Sequence, residues 1–345
     1  MAASSSSRSD VLRLALAAAA WGFGTAISKR AVDELPPFAL LPVQLAASLV
    51  VLVVAMRLRG VPLRSGAPIA LSRLGILNPG LAYALGLLGL AHITASASVL
   101  LWAVEPLLIL GLAAVVLHER VTPRLVLLSG AAIAGLALVV GGPGIGDGLV
   151  GVGLTLAGVG CCATYTVVSR RWLDSDDSTL PVVLGQQAHA LAFAGVLGVG
   201  AWLAGDLPLG PVSRPALLSA VASGVLYYAA AYWLYLSALR RVAASLAAFS
   251  FYLIPLFGLA ASFLMLGEHL TIVQWTGAAV VLAALVAVTR SVAGPVRPEA
   301  TARAVALASP RMAPASLGSG HPVRTPANEP GLSPRSDPAG AQNRS

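Results

Sequence analysis

Residues 83–119 read YALGLLGLAHITASASVLLWAVEPLLILGLAAVVLHE, and residues 232–268 read YWLYLSALRRVAASLAAFSFYLIPLFGLAASFLMLGE. At an offset of 149 residues Tyr83 meets Tyr232, Leu87 meets Leu236, and Ala95-Ser96 meets Ala244-Ser245. Pro106 then meets Pro255, and Glu119 meets Glu268. After a two-residue gap, Ser129-Gly130-Ala131-Ala132 meets Thr276-Gly277-Ala278-Ala279. Upstream, Thr25 and Ser28-Lys29-Arg30 match Thr166 and Ser169-Arg170-Arg171 at an offset of 141. The chain is built from two related halves.

Each half is apolar. Of 345 residues, 36 are charged (22 Lys+Arg and 14 Asp+Glu), which is 10%, against about 25% in a typical soluble domain. Hydrophobic residues make up 57% and the mean hydropathy is +0.83. Too few polar residues remain to coat a soluble surface, which excludes a soluble globular enzyme, a disordered regulator and a nucleic-acid binder. Ten apolar runs cover residues 11–28, 36–56, 74–93, 95–117, 123–140, 149–169, 180–204, 216–239, 243–266 and 272–289. Each approaches the roughly 20 residues that a helix needs to cross hydrocarbon. The runs are rich in Ala and Leu and lack polar alternation, so they are helices, which satisfy their own backbone in lipid. Ala17–Ala20 offers a small-residue signal-cleavage site. A retained first helix is the stronger reading, because it has a counterpart in the second half.

With the N-terminus inside, the short inner loops hold Arg57, Arg59, Arg64, Arg73, Arg120, Arg124, Arg170, Arg171, Arg240 and Arg241. The outer loops hold only Lys29, Arg30 and Arg214. Ten against three sets the orientation by the positive-inside rule and places both termini in the cytoplasm. The net charge of +8 is therefore an orientation signal rather than a nucleic-acid footprint. From Ser291 onward nine of the 23 prolines, six Arg and three acids occur without an aromatic residue. Such a tail cannot bury enough apolar surface to order itself.

The fold class that follows is all-α integral membrane: ten transmembrane helices as two inverted five-helix repeats, with a disordered C-terminal tail. Five is an odd number, so the halves face opposite ways, the arrangement that secondary transporters use to hold substrate near the midplane. A non-transporting membrane receptor or scaffold is the alternative.

The motifs carry a resemblance. Trp21-Gly22-Phe23-Gly24 with Lys29, Pro106…Glu119…Gly130…Gly135 in the first half, and Pro255…Glu268…Gly277 in the second resemble the EamA-type permeases of the drug/metabolite transporter superfamily. The resemblance covers about residues 11–290. It divides the chain into a disordered N-terminus (1–10), a first EamA-like repeat (11–141), a second (147–290) and a tail (291–345). It implies an exporter or importer of small metabolites, proton-linked or exchanging, with helices three, four, eight and nine near the central cavity. Family members often carry an Arg in the second helix after the Pro. Here that place falls at Gln44, so the role of that Arg in closing a gate does not carry over.

An ionised side chain in mid-span is a functional expectation, because burying it costs at least about 2.5–3.5 kcal/mol. Glu105 is the one carboxylate deep inside a run. Steps of three and four put it on a face with Trp102 and Ser98. It is the candidate for proton coupling or for holding an amine. His189, with Gln186 one turn earlier, suits proton transfer through an ordinary pKa of about 6.5, although packing is the more common role of a lone His. Tyr228, Tyr232 and Tyr235 form a face that can line a cavity with rings and hydroxyls, and Tyr83 is the repeat partner of Tyr232. Asn78-Pro79-Gly80 interrupts the third run. Trp21, Thr25 and Ser28 share one face of the first helix. Glu119 and Glu268 stand just before helices and are expected to favour the dipole of the helix that follows.

Gly144-Ile145-Gly146-Asp147 and Pro215-Ala216-Leu217 match short elements of intramembrane aspartyl proteases. That chemistry needs two carboxylates, and no run holds a second Asp. No catalytic residue, cofactor or metal is expected. Cys161 and Cys162 are adjacent in a run and do not reveal a redox compartment.

The expected function is a secondary active exporter of small organic metabolites such as amino acids or amines. It would work by alternating access across the bacterial cytoplasmic (inner) membrane. The expected partners are a small-molecule substrate, the lipid bilayer, and protons or a counter-substrate; a homodimer is allowed, nucleic acid is not.

Overall fold

A computed structural model describes residues 8–61, 69–116, 123–140, 148–169, 179–207, 210–239, 250–251 and 253–292. No strand occurs among the described residues. In chain order the α-helices are α1 (Arg8–Val32), α2 (Pro37–Leu58), α3 (Ile69–Arg73), α4 (Ala82–His92), α5 (Ala95–Trp102) and α6 (Glu105–Val116). They continue as α7 (Pro123–Val140), α8 (Gly148–Ser169), α9 (Thr179–Leu203), α10 (Arg214–Ser223), α11 (Ala231–Leu239), α12 (Leu253–Leu266) and α13 (Ile272–Val292). Among the described residues, six stretches are long and apolar enough to cross a membrane: Arg8–Val32, Pro37–Leu58, Ile69–His92, Gly148–Ser169, Leu180–Leu203 and Arg214–Tyr235. Four shorter apolar stretches, Ala95–Ile109, Val126–Val139, Leu253–Leu266 and Ile272–Ala284, stand where the other four runs were expected. Arg8–Asp10, expected in a disordered N-terminus, are helical. Ser291 and Val292, expected in the tail, end α13, while Asp147, Glu119 and residues 293–345 lie outside the described residues.

Among the described residues, three runs are interrupted. Between α3 and α4 a 3₁₀ turn (Leu74–Ile76) leads into a wide π turn (Leu77–Leu81), where Asn78 has the extended angles φ −144° and ψ 118°. Between α10 and α11 a second π turn spans Gly224–Ala230. The two interruptions fall at equivalent places in the halves: Gly75 and Gly224 are 149 apart (224 − 75 = 149). At each, a glycine lets two backbones touch. A Cβ on Gly75 would collide with the Gln186 carbonyl, and one on Gly224 with the Gln44 carbonyl. The third break is the turn at Ala103–Val104, which divides the run 95–117 into α5 and α6.

Packing runs mainly between the halves. α1 lies on α10, α11 and α12, α4 on α8, α2 on α9, α5 on α12, and α7 on α13. Exchanging the halves turns the α1–α11 pairing into that of α8 with α4 and leaves α2–α9 and α7–α13 unchanged, as a two-fold relation requires. Tyr83 and Tyr232, equivalent in the repeat, meet at 2.9 Å between their hydroxyls. Apolar helices in lipid gain little from hydrophobic association, so they rely on small residues that permit close van der Waals contact. α1 meets α12 through Gly22, whose Cβ would stand 2.6 Å from Gly258 N. α7 meets α13 through Gly135 and Gly277, whose added Cβ atoms would stand 2.8 and 2.5 Å from each other's carbonyl oxygens.

Glu268 departs from expectation. The start of α13, the helix that follows it, is closed by its own residues. Thr271 Oγ1 accepts from Gln274 N at 3.3 Å, and Gln274 Oε1 accepts from Thr271 N at 2.9 Å, a capping box. The Glu268 carboxylate instead accepts from Ala95 N at 2.8 Å and Ser96 N at 2.9 Å, at the start of α5 in the other half.

The crossing of α7 and α13 gives a direct test. Leucine at Gly277 must push two backbones apart and should cost about 1–3 kcal/mol, read as a lower thermal midpoint in detergent. Leucine at Gly130, on α7 with open space around it, should leave the midpoint unchanged. Equal midpoints for both variants would contradict the crossing.

Candidate functional site

A narrow cavity of about 30 Å³ lies inside the bundle. α1 contributes Thr25 and Ser28, α4 contributes Tyr83, Gly86, Leu87 and Leu90, and α5 contributes Ser98 and Trp102. The π turn of the second half contributes Tyr227 and Tyr228. Thr25, Tyr83, Ser98 and Tyr228 are each at most 8% exposed. The rings form a packed wall: the Tyr83 centroid is 5.2 Å from Trp102, 5.3 Å from Tyr227 and 5.2 Å from Tyr228. The two tyrosine neighbours stand edge-on to it, the geometry that ring quadrupoles favour. Among the described residues, no charged side chain lines the cavity. At its edge Lys29 Nζ donates to the Leu90 carbonyl at 3.0 Å and lies 3.3 Å from Asp33.

A buried polar node backs this wall. Gln44 is fully buried; its Nε2 donates to Ser28 Oγ at 2.9 Å and to Ser223 Oγ at 2.8 Å. Its Oε1 accepts from Tyr228 Oη at 3.4 Å. Gln187 Nε2 donates to the Tyr228 carbonyl at 2.6 Å, and its Oε1 accepts from Ser48 Oγ. The π turn that carries Tyr227 and Tyr228 is thus held from α2 and α9, and the carbonyl left loose by the irregular turn finds a donor.

Five expected residues come together at the cavity: Thr25, Tyr83, Ser98, Trp102 and Tyr228. Tyr232 joins them through its hydroxyl contact with Tyr83. Trp21 and Tyr235 lie in an adjoining aromatic cluster, where Trp21 stacks on Phe251 at 5.8 Å and meets the Tyr232 edge at 5.5 Å. Gln186 is committed elsewhere: its Nε2 donates to the Leu71 carbonyl at 3.2 Å, and its Oε1 accepts from Tyr165 at 3.1 Å. His189 Nδ1 lies 2.9 Å from the Gly185 carbonyl of its own helix. Asn78 sits in its π turn at 3% exposure, with its Oδ1 unpartnered.

Glu105 is beside the cavity rather than on its wall. The turn at Ala103–Val104 ends the helical face it was expected to share with Ser98 and Trp102. Glu105 becomes the first residue of α6, at the positive end of that helix, with Pro106 where no amide is needed. Its half-buried carboxylate lies against the buried Cys162 thiol of α8.

Tyr227 and Cys162 were not among the expected site residues. In an α-helix Tyr227 falls off the face of Tyr228, Tyr232 and Tyr235; the wider π turn brings Tyr227 and Tyr228 to the cavity together. Cys162 meets Glu105 through α6–α8 packing, which no local spacing encodes.

The Tyr83–Tyr232 contact can be measured by a double-mutant cycle. Tyr83→Phe and Tyr232→Phe should be non-additive by about 0.5–1 kcal/mol in unfolding free energy, the scale of polar contacts between membrane helices. Strict additivity would show that the two hydroxyls do not interact.

The model of the EamA-like transporter family matches residues 9–141 and again residues 149–290, one match per half. A solved structure, described only as a crystal structure of a protein, aligns with a TM-score of 0.59 at 20% identity. The alignment covers 83% of this chain and 97% of that one, and at this identity it speaks for the fold alone. No curated protein matches the chain. With two repeats matched in sequence, and two halves packed about a shared polar cavity, the chain belongs to the EamA-like transporter family.

Proposed function

We propose that the chain is a secondary active transporter, an exporter of small organic metabolites such as amino acids or amines, working by alternating access. In this reading all ten apolar segments cross the cytoplasmic membrane of a bacterium and both termini face the cytoplasm. The observation that carries it is the position of the cavity. Both halves line it, and the equivalent residues Tyr83 and Tyr232 touch beside it. A site between two inverted repeats is exposed to either face by rocking one half against the other. Rings and hydroxyls suit an organic molecule: Tyr and Trp faces take an ammonium group or a planar apolar body, and Thr25, Ser28 and Ser98 supply hydrogen bonds.

Glu105 is the coupling group in this reading, or the group that holds an amine. Its carboxylate is one turn from Trp102, at a break between two helices, where a small shift changes its access to water. Protons or a counter-substrate would drive the cycle.

Comparing intracellular and extracellular metabolites with and without overexpression should identify a compound that moves outward. In proteoliposomes Glu105→Gln should then abolish proton-linked uptake of that compound, while Glu105→Asp retains part of it. Undiminished transport by Glu105→Gln would remove Glu105 from the mechanism. Absence of any flux through the unaltered protein would favour a receptor or scaffold instead.

A further inference from the structure

One end of the bundle is laced by contacts between the halves, and two of them have the same form. Gly267 takes φ +66°, a left-handed angle that favours glycine, and turns the chain out of α12. The Glu268 amide reaches back to the Ser262 carbonyl at 3.3 Å, and its side chain crosses to α5. Both carboxylate oxygens are used there: Oε1 accepts from Ala95 N and Oε2 from Ser96 N. Thr94 Oγ1 accepts from Ala97 N at 3.2 Å. The first three amides of α5 are therefore satisfied, two of them by a residue from the other half. Ala95 and Ser96 are at most 2% exposed, so water is no substitute.

Glu34, in the loop after α1, makes the reverse contact. Its Oε2 accepts from Ser213 N at 2.9 Å and its Oε1 from Ser213 Oγ at 2.8 Å. Ser213 is the N-cap of α10, accepting from Ala216 N at 3.2 Å. These hydrogen bonds hold the exposed Glu34 carboxyl below its ordinary pKa. Each half thus lends a carboxylate to the start of a helix in the other. Lys29, one turn before Asp33, reaches the Leu90 carbonyl near the end of α4, which keeps these loops at one end.

The two capped helices carry walls of the cavity. Ser98 and Trp102 follow the Glu268 cap on α5, and α10 runs from the Glu34 cap into Tyr227 and Tyr228. We propose that Glu34 and Glu268 are gate residues: carboxylate caps exchanged between the halves that hold the cavity shut towards this face and leave their helices when it opens there. The proposal rests on the transporter reading. It adds which contacts break and at which end.

Glutamine is the informative replacement at Glu268, because it offers one acceptor oxygen where two amides need two. The reporter is Leu90→Cys, a buried cavity residue near this end, in a Cys161→Ala/Cys162→Ala background. Its reaction with a membrane-impermeant maleimide is followed in vesicles of both orientations, without any substrate. From the laced face, Glu34→Gln/Glu268→Gln should raise the labelling rate at least about fivefold, the low end of coupling between sites. From the opposite face it should lower the rate. Unchanged rates from both faces would overturn the gate.

Hydrogen exchange of the unaltered protein avoids any doubt about folding of the variant. The amides of Ala95, Ser96 and Ser213 should exchange faster than those at the α7–α13 crossing. Equal protection would overturn the gate as well. Changed labelling in a protein that moves no metabolite would sink the transporter reading, whereas metabolite flux with unchanged labelling would sink the gate alone.

Discussion

In hydrocarbon a backbone amide has no water to turn to, and that constraint shapes this molecule. Each apolar run must be a helix because a helix satisfies itself. Wherever the helix ladder breaks, a neighbour has to supply the missing partners. The break at Gly224–Ala230 brings Tyr227 and Tyr228 to the cavity and is held by Gln44 and Gln187, the break at Ala103–Val104 precedes Glu105, and the break at Leu77–Leu81 packs on α9. Polar side chains otherwise out of place in an apolar core are explained by this need. The irregular backbone and the polar site have a common cause, since interrupted helices expose the groups that a ligand can use.

The same constraint governs the helix ends. A helix start leaves orphan amides that need acceptors close at hand, most of all at the buried start of α5. α13 meets the need locally through Thr271 and Gln274. α5 and α10 draw on Glu268 and Glu34 from the opposite half. Local caps make a helix independent; borrowed caps make its ends depend on how the two halves sit. Two of the scarce charges, Glu34 and Glu268, serve such caps, and the described lining of the cavity is made of rings, hydroxyls and apolar groups.

Much of the site was legible because polar residues are conspicuous in apolar runs. Thr25, Tyr83, Ser98, Trp102 and Tyr228 stood out by type and spacing, and all five face the cavity. The errors share a cause. Helical spacing assumes 3.6 residues per turn, and it fails where the turn widens or stops. Tyr227 is missed because a π turn shifts the register, and Glu105 is placed on one face with Ser98 and Trp102 because the break at Ala103–Val104 is not visible in the sequence. Gln186 and His189 look the same in sequence whether they serve a ligand or their own neighbours. Only the contacts with Leu71, Tyr165 and Gly185 distinguish the two.

By itself the sequence determined the membrane class, the repeat and the family, because composition and periodicity act residue by residue and add along the chain. Only the tertiary structure decided which polar residues meet. Gln44 with Ser223, Glu268 with Ala95 and Ser96, and Tyr83 with Tyr232 lie 149 to 179 residues apart. Such pairs form through helix crossings that depend on glycines such as Gly135 and Gly277 approaching another backbone. A crossing is a property of two surfaces at once, and neither surface shows its partner.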